Sequence, residues 1–453
     1  MSDANDGFDT REVIIRLLAT LGSRREVDQY LHHYASVDSP KFAIIKVSGS
    51  VLDQQSHPLV SSLTFLKRVG LLPIVVHGAS MQVQRACEAE GLRLPARYED
   101  EKGNENNDAV LDITRRVLIR ENLRLVEALE AMGTRSRPLT HGIFQSTQAR
   151  SSLPGASTQR LQVDEEQILS SLRAQQIPVL APLGESHDGR IRPLSSDEAT
   201  YALARKISPH KLIRLTSEGV LRDASGRPYA AINLAEDYDE IARQEGAPDA
   251  LLHRLTELKS VLETLPPFSS VSITTPSLLA KELFTHKGAG TLVRLGEKLN
   301  CYRDFSEVDT LRLTKLLEAC FGRQLSAGYF SDKNPFRIYL ADSYRATAIL
   351  TQEMDIPYLD KFAVTNEAQG AGIGASLWRK MTKDIPRFYW RARRDNPINT
   401  WYFQHADGAM KQKEWVVFWS GIDSYDDVKS CVDHALSLPA TLREHGTADV
   451  QRV

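Results

Sequence analysis

Cysteine is scarce in this chain: four among 453 residues (Cys87, Cys301, Cys320 and Cys431), with no CxxC spacing. That excludes a disulfide scaffold and a cysteine-type zinc site and fits a reducing compartment. A surplus of one charge is missing as well. Lys plus Arg number 56 against 58 Asp plus Glu, a net charge of −2, which argues against a dedicated nucleic-acid binder. Long hydrophobic runs are absent. The longest, such as Leu71–Val76, fall far short of a bilayer span. The 12 histidines show no HxxxH or HxxE pairing, and the adjacent His32 and His33 cannot share one helix face, so no metal is expected. No period of 20–50 residues repeats, which excludes solenoids and propellers. The start, MSDANDGFDTREVII, has acids where a targeting peptide needs Lys or Arg. The expectation is a soluble, cytoplasmic protein with neither nucleic acid nor membrane among its partners.

What is present is ordinary globular composition, 42% hydrophobic and 25% charged. At about 150 residues per domain, the length suggests two or three domains. Val13, Ile14, Leu17, Leu18 and Leu21 recur at helical spacing and predict a helix over Arg11–Leu31. Strands and helices then alternate. Strands are expected at Phe42–Val47, Leu72–Val76, Ile177–Leu183, Lys211–Leu215 and Ser270–Thr274. Helices are expected at Ser61–Arg68, Met81–Glu90, Leu111–Met132, Asp197–Ile207, Leu255–Leu265 and Ser277–Phe284. Strands joined by crossover-length helices imply a parallel α/β sheet. Beyond the Gly-rich His286–Thr291 the pattern changes. A helix (Val308–Cys320) precedes three β-type runs, Phe336–Asp342, Arg345–Thr351 and Pro357–Val364, too closely spaced for crossovers. The expected domains are 1–287 and 308–453, joined by a linker over 288–307.

The most informative stretch is DKFAVTNEAQGAGIGASLWRKM, Asp360–Met381. A strand ending near Val364 runs through Gln369, Gly370, Ala371, Gly372, Ile373 and Gly374 into a helix with Leu377, Trp378 and Met381 on its apolar side. Glycines at a helix start offer consecutive backbone N–H groups to an anion, and the helix dipole adds positive potential. Three readings fit: a G-x-G-x-x-G/A dinucleotide turn, with Asp395 about 20 residues on; the Q/R-x-x-G-x-G/A pyrophosphate loop of GNAT acetyltransferases; or a plain glycine-rich turn. Only 78 residues follow Ala375, too few for the rest of a doubly wound sheet. Further on, Phe388–Phe403 (FYWRARRDNPINTWYF) reads as an aromatic strand and a Pro-containing turn. Its period of two puts Arg391 and Arg393 on one face, where paired guanidiniums suit a dicarboxylate or a phosphate. Lys361 lies on the strand beside the loop, and Asn396, Asn399 and Tyr402 add polar donors at the same strand end.

YLDKFAV, the QGAGIG loop, FYWRARRDNPINTWYF and KQKEWVVFW (Lys411–Trp419) together resemble the acetyltransferase domain of the N-acetylglutamate synthase family, in its vertebrate and fungal form and in bacterial synthase/kinases. KELFTHKGAGTLV (Lys281–Val293) resembles the junction in those proteins, and the first 285 residues resemble their amino-acid-kinase domain. The resemblance implies an α/β protein: an amino-acid-kinase-like parallel-sheet α/β domain followed by a GNAT α+β domain. It implies acetyl transfer from acetyl-CoA to the α-amino group of L-glutamate, the first step of arginine biosynthesis. Lys361, Arg391 and Asn396 would hold glutamate, Arg393 would serve either substrate, and Gln369–Gly374 would hold the pyrophosphate of acetyl-CoA. Tyr402 would stand near the thioester sulfur; Tyr402 and Asn396 are the catalytic candidates. Arg323, in CFGRQL, matches a basic position linked to the site. No His or Glu base stands in the motif, which leaves a water relay or deprotonation in solution.

The kinase resemblance frays. Lys46 and Gly49 stand where that family has Lys-x-Gly-Gly, but Ser48 replaces a glycine. His77-Gly78-Ala79-Ser80-Met81 lacks the last glycine and the proline. Near Glu99–Asn107 no Arg is present for the substrate carboxylate. Arg192–Thr200 keeps Asp197 without the family's asparagine, and Gly246–Lys259 replaces a nucleotide-binding segment. The expectation is a kinase-shaped domain without kinase activity, against a still-bifunctional synthase/kinase and a non-enzymatic arginine-binding regulator. Glu282, Gly288 and Tyr30 resemble the family's L-arginine site and the helix over it, which implies L-arginine as an effector. The family's habit implies a homo-oligomer, a dimer or tetramer.

Overall fold

The computed structural model describes residues 43–93, 105–148, 159–186, 189–244, 246, 248–266, 269–284, 289–366, 368 and 372–443. The helix expected over Arg11–Leu31 lies outside them. The chain divides into two compact units, Met1–Leu295 and Gly296–Val453.

The N-terminal unit has twelve strands among its described residues: β1 (Ala43–Val47), β2 (Ile74–His77), β3 (Ser136–Leu139), β4 (Phe144–Gln148), β5 (Gln159–Val163), β6 (Ile177–Leu180), β7 (Leu183–Glu185), β8 (Ile191–Pro193), β9 (Lys211–Leu215), β10 (Ala231–Asn233), β11 (Ser270–Thr274) and β12 (Thr291–Arg294). Eight form one sheet in the order β10-β12-β11-β9-β1-β2-β6-β3. It is parallel except where β11 meets β12. Every residue of β1 is buried, as expected of a strand covered on both faces by crossover helices. The helices that position the polar groups discussed below are α1 (Gly49–Gln54), α2 (Ser56–Arg68), α3 (Ser80–Ala89), α4 (Glu105–Ala131), α5 (Glu166–Arg173), α6 (Ser196–Ile207), α7 (Leu234–Arg243), α8 (Asp249–Leu262) and α9 (Leu279–Phe284).

Two expectations shift here. The run Ile177–Leu183 is not one strand: it breaks after Leu180, and β7 joins a separate four-stranded sheet, β5-β4-β7-β8. Pro182 lies in the break and cannot donate to a ladder. The segment 288–307, expected as a linker, carries β12 and also the first strand of the second sheet.

The C-terminal unit runs β13 (Leu299–Tyr302), α10 (Thr310–Phe321), β14 (Gln324–Leu325), α11 (Tyr329–Asp332), β15 (Pro335–Ala341), β16 (Ala346–Thr351), β17 (Tyr358–Val364), α12 (Ile373–Asp384), β18 (Phe388–Arg393), α13 (Asn399–His405), β19 (Gly408–Gln412), β20 (Trp415–Ser420), α14 (Tyr425–Ser437) and β21 (Leu442–Arg443). Its main sheet is ordered β13-β15-β16-β17-β18-β20-β19. β15, β16 and β17 form the expected antiparallel meander. Only the β17/β18 pair is parallel.

Side-chain alternation sorts this sheet into two faces. Leu359, Phe388, Trp390 and Phe418 pack with Leu377, Trp378 and Met381 of α12. On the other face, Ile338, Ile349 and Ala363 pack with Leu313, Leu317 and Tyr329, while Tyr358, Tyr389 and Val417 pack with Cys431 and Val432 of α14. Of the expected aromatic strand and Pro-containing turn over Phe388–Phe403, the strand is β18, which stops at Arg393, and the turn leads into α13, an unexpected helix.

Candidate functional site

Two irregularities in β17 build the site. In the β16/β17 ladder Ile349 pairs with Lys361 and Leu350 with Leu359, so Asp360 is left over as a bulge. A bulge bends and twists its strand. The second irregularity lies beside it. β17 pairs with β18 only at Tyr358↔Tyr389 and Leu359↔Trp390, although one strand continues to Val364 and the other to Arg393. The strands part beyond those pairs, and the parting opens a cleft through the middle of a sheet.

Beyond β17, Gly372 caps α12 with φ +74°, left-handed backbone that favours glycine. A Cβ on Gly374 would stand 3.2 Å from a methyl of Val364, so the missing side chain lets the first turn of α12 lie against the end of β17. Gly372, Ile373 and Gly374 therefore start a twelve-residue helix at the mouth of the cleft, with the dipole orientation an anion requires. Gln369, Gly370 and Ala371 lie outside the described residues.

Lys361, Arg391 and Arg393 share the sheet face opposite α12. Lys361 is 5% exposed; its Nζ donates to Asp360 Oδ2 at 2.6 Å and to Thr441 Oγ1 at 2.7 Å. Burial pulls its ammonium below the ordinary lysine range and Asp360 opposes that pull. Burial also works against the Asp360 carboxylate, but Lys361, with the Tyr329 hydroxyl and Lys333, outweighs it and holds the carboxyl below the usual range. Arg391 stacks over the Trp415 ring at 4.1 Å and donates to the carbonyls of Ala435 (2.5 Å) and Pro439 (3.1 Å). Arg393 lies over the same ring at 5.3 Å and pairs with Glu414 at 3.1 Å.

Tyr402 stands elsewhere. It is on α13, not on the strand end, and on the α12 face, among Trp378, Trp390 and Phe418. It is 6% exposed, and burial pushes its hydroxyl well above the usual tyrosine range. The neighbouring Trp390 has a buried indole N–H with no hydrogen-bond partner among the described residues. The cleft thus has cations on one face and a protonated phenol on the other. Asn396 Oδ1 accepts the Ile398 N–H at 3.2 Å, and Asn399 Nδ2 donates to the carbonyls of Arg393 and Arg394 at 2.8 and 3.2 Å. Both asparagines therefore shape the turn into α13. Arg323 is half-buried after the left-handed Gly322. It precedes β14, which pairs with β21 next to Thr441.

Sequence reasoning missed Asp360, Tyr329, Tyr358 and Thr441 around Lys361 and Arg391. Only Asp360 left a signal, a second charge beside Lys361 inside an apolar strand. Among the described residues no group of three or more His, Cys, Asp or Glu side chains is placed to hold a metal ion. Nor is any helix among them long and apolar enough to cross a membrane.

The N-terminal unit has a polar centre of its own at the ends of β1 and β9. Asp197, in the first turn of α6, pairs with Lys46 Nζ at 3.1 Å and with the guanidinium of Arg214. Arg214 is 1% exposed and also donates to the Tyr201 hydroxyl at 2.8 Å. Burial, then Arg214, pulls Lys46 down to about 8. Burial raises Asp197, but Lys46 and Arg214 outweigh it and hold the carboxyl well below its usual range. Gly49 lies tight against α3, where a Cβ would meet the Ser80 nitrogen at 2.8 Å. Glu282 is buried on α9 and accepts from the Ser272 hydroxyl at 2.6 Å and the Ala289 N–H at 2.7 Å. Gly288 and Tyr30 lie outside the described residues.

Asp197→Asn is expected to cost this unit about 3–5 kcal/mol, because two buried cations lose their counter-charge. A urea melt followed by a probe of this unit measures it. The carboxylate's folded value is depressed, so its contribution is complete above the unfolded value and fades as the pH falls below about 4.

Residues 41–253 match the amino acid kinase family, and residues 300–437 match the family described as NAT, N-acetyltransferase, of N-acetylglutamate synthase. A protein of Xanthomonas campestris pv. campestris named acetylglutamate kinase is 39% identical over 93% of this chain and 100% of its own length. The human mitochondrial N-acetylglutamate synthase is 34% identical over 91% of this chain and 74% of its own. Among solved structures, N-acetylglutamate synthase from Neisseria gonorrhoeae, complexed with coenzyme A and N-acetyl-glutamate, superposes with a TM-score of 0.60 at 18% identity, covering 88% of this chain and 98% of that one. That likeness is one of fold. By its two domains and by relatives aligned over nearly its whole length, the chain belongs to the family that joins an amino acid kinase domain to the acetyltransferase domain of N-acetylglutamate synthase.

Proposed function

We propose that this amino-acid N-acetyltransferase moves acetyl from acetyl-CoA to the α-amino group of L-glutamate. The observation that carries the proposal is the parting of β17 from β18, with the α12 start at its mouth and Lys361, Arg391 and Arg393 on one face. The pyrophosphate of acetyl-CoA would sit on the amides at the start of α12, and the thioester would enter the cleft. Two cations suit the two carboxylates of glutamate. Side-by-side binding removes much of the entropy cost of a bimolecular encounter. The free amine attacks the thioester carbon; the C–N bond forms, the nitrogen's surplus proton passes to water, the C–S bond breaks and CoA leaves as thiolate. Tyr402 would donate a hydrogen bond or proton to that sulfur. Mass spectrometry of product from glutamate and acetyl-CoA tests this; absence of N-acetylglutamate overturns it.

The N-terminal unit would lack kinase activity. Ser48 and Ser80-Met81 stand where phosphate-cradling residues are needed, and Arg214 already occupies Asp197. A bifunctional reading has support as well: Lys46 and Asp197 remain paired, and a relative 39% identical is named acetylglutamate kinase. ATP-dependent phosphorylation of N-acetylglutamate by the purified chain decides, its presence favouring the bifunctional reading. L-Arginine would act as an effector through the region of Glu282. Titrating acetyl transfer with arginine tests that, and a flat response removes it.

A further inference from the structure

Neighbours in an unbroken strand point to opposite faces. The bulge in β17 cancels that rule at one place. Asp360 and Lys361 both lie on the face that carries Tyr329, and their side chains meet at 2.6 Å. Asp360 Oδ2 also accepts the Tyr329 hydroxyl at 2.7 Å. The Tyr329 ring lies beneath the Lys361 ammonium, 4.9 Å from Nζ to centroid. An ammonium has three N–H bonds to give. The acceptors around this one are Asp360 Oδ2, the Asp360 carbonyl at 3.3 Å and Thr441 Oγ1 at 2.7 Å.

These acceptors differ in kind. Two belong to the bulge and are fixed by the sheet. The third is a hydroxyl beside the two-residue ladder of β14 and β21. Asp360 cannot be displaced without leaving a buried charge unpaired. A neutral hydroxyl can give way to a carboxylate oxygen at small cost. We infer that Asp360 and Tyr329 are positioning residues for Lys361, and that Thr441 holds, in the free protein, the place a substrate carboxylate takes. The inference rests on reading Lys361 as a ligand of the amino-acid substrate.

The charges around Lys361 give a readout that a merely structural role would not move. It is faced by Asp360 on its own strand, by Tyr329 of α11 and Lys333 just after it, and by Arg391 from β18. Asp360 is itself faced by Tyr358. Burial and the two cations favour loss of the Lys361 proton, and Asp360 opposes them. Without the Asp360 charge the ammonium deprotonates at lower pH, and substrate carboxylate binding fails sooner on the alkaline side.

The test is steady-state kinetics of the full chain with L-glutamate and acetyl-CoA. Asp360→Asn is expected to raise the glutamate KM roughly tenfold, the loss of one charge-assisted bond. It should leave the acetyl-CoA KM unchanged and move the alkaline limb of kcat/KM for glutamate to lower pH. Tyr329→Phe keeps the ring and is expected to raise the glutamate KM a few fold, so it carries the test if the first variant does not fold. Thr441→Val is expected not to raise it; a tenfold rise would overturn the stand-in role. Lys361→Met is the control. A raised glutamate KM in that control, with folded Asp360→Asn and Tyr329→Phe unchanged in KM and pH limb, overturns the positioning role. An unchanged glutamate KM in the control overturns instead the reading of Lys361 as a ligand.

Discussion

Tyr402→Phe is expected to lower kcat about 100-fold, the scale of losing one preorganised hydrogen-bond donor to charge that develops in the transition state, while the glutamate KM stays within about twofold. The hydroxyl is buried on the α12 face of the cleft, away from Lys361 and Arg391. Burial raises its proton affinity, so it stays protonated throughout the working range and would meet the developing thiolate as a hydrogen-bond donor. Phenylalanine keeps the ring that packs against Trp378, Trp390 and Phe418, so the fold is preserved. Initial rates at saturating acetyl-CoA measure the effect. An unchanged kcat contradicts the role.

Arg391→Ala is expected to raise the glutamate KM about 10- to 100-fold and to leave the acetyl-CoA KM nearly unchanged. A charge-assisted, two-pronged contact with a carboxylate is worth that much. The guanidinium is braced before substrate arrives: Trp415 lies under its plane, and the carbonyls of Ala435 and Pro439 take two of its N–H groups. Arg391→Lys keeps charge but loses the planar fork and recovers only part of the affinity. Arg393→Ala should do less, because Arg393 is about two-fifths exposed and already paired with Glu414. Equal rises in both KM values would mean that Arg391 supports the fold of the cleft rather than the amino acid.

Much of this was legible in the sequence, for identifiable reasons. β1 (AIIKV), β9 (KLIRL) and β11 (SVSIT) are short runs in which Val, Ile and Leu recur, and each lies within one residue of the strand expected there. The glycines at 372 and 374 announced a strand-to-helix turn, since their backbone demands are local. Period two put Arg391 and Arg393 on one face, and both meet the Trp415 ring. What escaped depends on contacts distant in sequence. Tyr329 reaches Asp360 across 31 residues and Thr441 reaches Lys361 across 80. The bulge at Asp360 leaves no mark in periodicity, because one extra residue in a seven-residue strand reads as noise. Tyr402 read as a polar donor at the strand end because it follows the Pro-containing turn closely in sequence; Pro397 and the Asn396 turn instead lead into a helix there that sends the phenol to the other face.

The most direct test of acetyl transfer at the β17/β18 cleft is the initial rate of CoA thiol release from acetyl-CoA with and without L-glutamate, with Arg391→Ala run in parallel. Release is expected to depend on glutamate, to saturate with it, and to need far more glutamate in the variant. Release that ignores glutamate, or a variant indistinguishable from the parent chain, would contradict acetyl transfer at this cleft.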